Sequence, residues 1–143
     1  MHTDDEVSRL PIIRLWGVVL VALQGEITDH MASRLRRQVL EVIHEEGADG
    51  LILDVTGVWM MDSHLCSVLS NIASAAELMG TETVISGMSP EIAQTLQTMG
   101  VEFSDTRTAL TVEQAMGLLG LTVVVASDVD ADVGKGADEA NAS

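Results

Sequence analysis

A chain of 143 residues with 22 acidic and only 7 basic side chains carries a formal net charge of −15. That balance excludes general nucleic-acid binding and docking on anionic lipid, because both need a basic surface. The hydrophobic fraction of 47% suffices for one core, but with two Trp, one Phe and no Tyr that core must be built from aliphatic residues and the eight Met.

Residues 1–10 are polar and read as a flexible lead-in to one domain over residues 11–120. "PIIRLWGVVLVALQG" (11–25) reads as two strands turning at Trp16-Gly17, the second wholly apolar and therefore central. Next, Met31, Leu35, Val39, Val42 and Ile43 recur at helical spacing, predicting a helix capped by Asp29 and closed by Gly47. Arg34, Arg36 and Arg37 lie off that stripe and are expected to form a solvated face paired with Glu41 and Glu45. "GLILDVTG" (50–57) is a buried-strand pattern with Asp54 at its end, and 58–62 is a loop.

From Ser63, apolar residues at Leu65, Val68, Leu69, Ile72, Ala76 and Met79 predict a second helix, stopped by Gly80. "TVISGM" (83–88) is a third core strand. A third helix follows, with Ser89 as cap, Pro90 at the first position and Gly100 as the stop. "VEF" (101–103) reads as a short strand, and Thr111 with Gln114 opens the last helix in capping-box spacing. Residues 121–143 are read as an acidic, loosely ordered tail, with "LTVVVAS" part of it rather than an added edge strand. The order β-β-α-β-α-β-α-β-α predicts an α/β fold: a mixed, mostly parallel sheet of four to five strands with about four helices.

The single cysteine, Cys66, fits a reducing compartment. The acidic start and the short apolar runs show neither a signal peptide nor a membrane span, so a cytoplasmic protein is expected. Enzyme signatures are missing: there is no phosphate-binding GxxxxGK[ST] loop, no GxGxxG and no GxSxG elbow. His2, His30, His44 and His64 lack ligand spacing, so neither metal nor cofactor is expected. Asp54 could be a receiver-type phosphoacceptor, but no acidic pair follows the first strand and the only Lys, Lys135, lies in the tail. A carboxylate capping the amides of the following loop is the expectation for Asp54. Cys66, one turn into a helix, reads as a small core residue rather than a reactive thiol. An enzyme built on Asp54, Asp62 and Cys66 is disfavoured. Ser63 has two readings, an ordinary helix cap or a regulated phosphoacceptor, and Trp59, Met60 and Met61 before it offer apolar contact surface.

The ordered set "PIIRLWGVVLVALQGEITD", "GADGLILDVTGVWMMDS", "ELMGTETVISGMSPEIAQTL" and "TALTVEQAMGLL" resembles STAS domains of the anti-sigma-factor-antagonist type, and within them the RsbS-type stressosome scaffold family, from about Pro11 to Leu119. The resemblance implies a non-enzymatic scaffold that self-associates with paralogous RsbR-like sensor STAS proteins into a large assembly. It further implies capture of an RsbT-like serine/threonine switch kinase, its release on phosphorylation, and resetting by a phosphatase. Ser63 falls on the phosphoacceptor position. Asp54, Thr56, Met60, Met61, Asp62 and His64 are the implied partner-binding residues. His64 stands where that family tends to be aromatic or aliphatic, and Thr28 does not clearly match a second phosphosite. A simple anti-sigma-factor antagonist that binds its kinase directly, and a STAS regulator of another output such as a cyclic-dinucleotide pathway, are the alternatives.

Overall fold

The structure, a computed structural model, describes residues 12–100 and 106–121. Five strands form one sheet in the order β1 (Ile12–Leu15), β2 (Val18–Gly25), β3 (Gly50–Val58), β4 (Glu82–Ser86), β5 (Arg107–Ala109). β1 pairs antiparallel with β2, and every other neighbour is parallel. The β1–β2 turn has only Trp16 and Gly17 between the paired Leu15 and Val18, and both have positive φ (40° and 80°), as a two-residue hairpin twisted to match its strands requires.

Alternation along the strands builds two cores. Val19, Val21, Leu23, Leu51, Leu53, Val55 and Ile85 pack with α1 (Asp29–Glu46), α2 (Ser63–Leu78) and Leu96 of α3 (Pro90–Thr98). Val18, Ile52 and Val84 face the other way, onto Ala115 and Met116 of α4 (Val112–Leu118). The α/β class, the mixed five-stranded sheet and the four helices of the described residues match the expectation from the sequence.

Several details differ. Thr28, not Asp29, caps α1: its Oγ1 accepts the Met31 N–H at 3.2 Å, and Asp29 already lies within the helix. α2 ends at Leu78, leaving Met79 41% exposed rather than in the core. β3 runs one residue further than expected and β4 ends two residues earlier, at Ser86. The fifth strand is Arg107–Ala109; residues 101–103, expected in that role, lie outside the described residues. The expectations for residues 1–10 and for the tail beyond Leu121 also fall outside them. Neither Arg36 nor Arg37 pairs with Glu41 or Glu45; the ion pairs that do form in described residues include Arg14–Glu46 and Arg107–Glu82. Ser89 and Thr111 cap α3 and α4 as expected, and Gln114 Oε1 completes the second cap by accepting the Leu110 N–H.

Candidate functional site

In a parallel sheet the loops beyond the carboxyl ends of the strands are where side chains can gather without disturbing the core. β3 leaves the sheet at Val58, and the next residue is tied back by its N–H, Trp59 N to Gly25 O at 3.0 Å. The extended chain then alternates. Trp59 and Met60 point outward, 80% and 72% exposed, while Met61 turns in at 6% and joins the main core. Met61 is therefore a packing residue, and the apolar contact surface expected from it falls instead to Trp59 and Met60.

Asp62 is the cap of α2. Its Oδ1 accepts the Leu65 N–H at 2.7 Å and its carbonyl accepts the Cys66 N–H at 3.1 Å. Ser63 is consequently not the cap but the first helical residue. It is exposed, and no hydrogen bond from any described residue engages its hydroxyl. The sequence could not separate these roles because Asp and Ser are equally good caps. Around Ser63 lie the unpaired amides of the first turn and the positive end of the helix dipole, which favour added negative charge. His64 Nε2 stands 3.4 Å from Asp29 Oδ1, so the starts of α1 and α2 are neighbours at this end of the sheet.

Asp54 and Thr56 belong to a different cluster. Leu53 and Val55 face α1 and α2, so Asp54 between them points to the opposite face. There Asp54 Oδ1 accepts from Thr56 Oγ1 at 2.7 Å and from Ser86 Oγ at 2.9 Å. The partners are hydroxyls, not the loop amides expected. Gly87 closes the cluster: its φ is +82°, and a Cβ there would overlap Thr56 Oγ1 and sit 2.8 Å from Asp54 Oδ1 and from the Thr56 nitrogen. The structure thus gathers Asp62, Ser63 and His64 at the start of α2. Asp54 and Thr56 share with them only the carboxyl end of the sheet, and there tie the ends of β3 and β4 together. Ser86 and Gly87 were not singled out in the sequence. A Gly directly after an apolar strand was the one available signal.

Cys66 is fully buried, and burial, then the charge of Asp62, pushes its thiol up to about 11. It is a core residue, as expected. Among the described residues no group of three or more His, Cys, Asp or Glu could hold a metal ion, and no helix is long and apolar enough to cross a membrane.

The STAS-domain family profile matches residues 11–115. RsbRD of Bacillus subtilis (strain 168), described as an RsbT co-antagonist protein, is 33% identical over 107 residues, covering 75% of this chain but 38% of its own length. This chain thus spans well under half of that curated relative. Among solved structures, RsbS of Moorella thermoacetica, in a Ser-to-Glu variant, superposes with a TM-score of 0.70 at 28% identity, covering 78% of this chain and 95% of its own. A chain from the stressosome, described as a signal integration and transduction hub, gives 0.66 at 26% identity over 77% of this chain and 96% of its own. Because that profile spans residues 11–115, from β1 into α4, the chain belongs to the STAS-domain family.

Proposed function

We propose that this protein is a non-catalytic, cytoplasmic stressosome-type scaffold that holds a serine/threonine switch kinase and releases it when Ser63 is phosphorylated. One observation carries the reading: with Asp62 serving as the cap, Ser63 stands exposed and unengaged beside the exposed Trp59 and Met60. Its hydroxyl can enter a kinase cleft without unfolding anything. Trp59 and Met60 supply the apolar contact a partner needs, and Asp62 and His64 flank the hydroxyl. Asp54 and Thr56, bonded to each other on the far face, act on this surface by fixing the strand ends from which the loop departs.

Phosphorylation adds roughly −1.5 to −2 charge. The helix start tolerates it, but a partner seated on the neutral Ser63 and Met60 would then have to bury a phosphate next to the Asp62 carboxylate. Release follows from the lost fit, and a phosphatase restores capture. The relative described as an RsbT co-antagonist and the similarity to an RsbS structure support an RsbT-like kinase and RsbR-like sensor paralogues as partners in a self-associating assembly.

The test is incubation with an RsbT-type kinase and ATP, followed by mapping of the modified residue. Phosphate is expected on Ser63 and absent from the Ser63→Ala protein. Phosphate on Thr28 or Thr56 with Ser63 unmodified overturns the reading.

A further inference from the structure

We infer that the exposed face of α1 is a self-association surface on which a second copy of this chain packs its own α1, antiparallel, across a two-fold axis. This rests on the self-associating part of the reading above and supplies the interface for it.

The first observation is an unusual placement of charge. The chain has 7 basic residues, yet Arg34, Arg36 and Arg37 fall within one turn of α1. Arg14 and Arg107 are spent on Glu46 and Glu82 within the fold. Arg36 and Arg37 are exposed and make no ion pair with any described residue. Arg37 and Glu41 stand four apart, a spacing that permits pairing along one helix, but they do not pair.

The second observation is order along the axis. The exposed basic pair Arg36 and Arg37 lies at the middle of α1, and the exposed acidic residues Glu41 and Glu45 follow toward its end. The half-buried Leu40 lies between the two pairs. A two-fold interface must be self-complementary, each residue i meeting j while j meets i. An antiparallel α1 pair centred near Val39 and Leu40 meets that demand. Arg37 falls opposite Glu41 of the second copy, symmetry repeats the contact, and the two Leu40 side chains meet at the axis.

The third observation is room. A groove of about 680 Å³ runs between α1 and α2, with Ser33, Arg36, Arg37 and Leu40 on one wall and the small residues Asn71 and Ala75 on the other. The second copy is the occupant the charges select, because its own Glu41, which also lines the groove, stands one helical turn from Arg37 on the same face. Exposed ion pairs are individually weak, so the association depends on symmetric pairs acting together with the Leu40 contact, and salt weakens it.

The test is sedimentation velocity on the full chain over a concentration series, at low salt and at roughly 1 M, where the Debye length falls to about 3 Å. Wild type is expected to associate, more weakly at high salt. Arg36→Glu/Arg37→Glu and Glu41→Arg/Glu45→Arg should each raise the dissociation constant about tenfold or more, a change of about 1.4 kcal/mol. An equimolar mixture of the two should associate as well as wild type, because every repulsive pair becomes attractive. Circular dichroism checks each fold, and the neutral versions, Arg36→Gln/Arg37→Gln and Glu41→Gln/Glu45→Gln, serve if a reversed variant does not fold. Unchanged association of either reversed variant overturns the inference, as does a mixture that stays apart. Kinase modification of Ser63, measured on the same variants, should be unaffected. A monomeric wild type that is still phosphorylated would sink the interface while leaving the Ser63 reading intact.

Discussion

Gly87→Ala should unseat the cluster that ties β3 to β4. Two costs add there. A non-glycine residue at φ +82° carries about 1–2 kcal/mol of left-handed strain. The new Cβ would also occupy the place of Thr56 Oγ1 and press at 2.8 Å on the Thr56 backbone nitrogen, which cannot swing away. Thr56 must move, and its hydrogen bond to the Asp54 carboxylate, 2.7 Å in the native fold, is lost at a further cost of about 1.5–2 kcal/mol. The expected loss is about 2.5–4 kcal/mol, a large part of the roughly 5–15 kcal/mol that holds a domain together. Gly80→Ala is the matched control. Its φ is +84°, but nothing lies within 4 Å of the added Cβ, so only the strain of about 1–2 kcal/mol applies. Urea unfolding with a shared slope measures both. A double-mutant cycle adds a second check: Thr56→Ala should cost about 1.5–2 kcal/mol in the wild type and close to nothing in the Gly87→Ala background, where its bond is already broken. Equal losses for Gly87→Ala and Gly80→Ala would show that the crowding seen at Gly87 relaxes without consequence and would refute the reasoning.

The adjacent caps make a second contrast. Asp62→Ala should lower stability by about 1 kcal/mol through loss of the 2.7 Å bond to Leu65, whereas Ser63→Ala should stay within about 0.5 kcal/mol while blocking modification by the kinase; the reverse ranking in urea unfolding would mean that Ser63 is the cap in solution. Trp59→Ala combined with Met60→Ala should leave the melting temperature nearly unchanged, since both side chains are mostly exposed, but weaken capture of an RsbT-type kinase at least about tenfold by calorimetry, and unchanged affinity would remove the apolar contact from the proposed surface. Cys66 gives a pH dependence. Its thiol is raised from 9.0 to about 11 in the fold, so the neutral form favours the native state, and this stabilisation is full below about pH 9 and drains as pH rises toward 11. Urea unfolding between about pH 8 and pH 10.5 should therefore fall more steeply for wild type than for Cys66→Ala, and parallel slopes would contradict it.

Much of this protein is legible in one dimension. The periodic apolar residues of α1 and α2, the Ser89-Pro90 and Thr111…Gln114 starts of α3 and α4, and the wholly apolar runs of β2 and β3 are local patterns, and local steric and hydrogen-bonding preferences act on them directly. Their alternation then requires a mostly parallel sheet, because each helix must bury its apolar stripe against the strands it connects. Ser63 could be singled out by the same means, but its role could not. Whether Asp62 or Ser63 caps α2, and Thr28 or Asp29 caps α1, turns on the residue at which the chain enters the helical φ/ψ region, since either side chain would serve. Met60 and Met61 are identical in kind, yet one is 72% exposed and the other 6%, a difference set only by the path of the loop between β3 and α2. Asp54 finds Ser86 32 residues away, and Gly87 is needed because those two strands end side by side. Arg36 and Arg37 have acidic neighbours in sequence and none as ion-pair partners within the described fold. Such choices follow from which groups meet when distant segments pack together, so only the tertiary structure decides them: it hands the cap to Asp62 and leaves the Ser63 hydroxyl exposed.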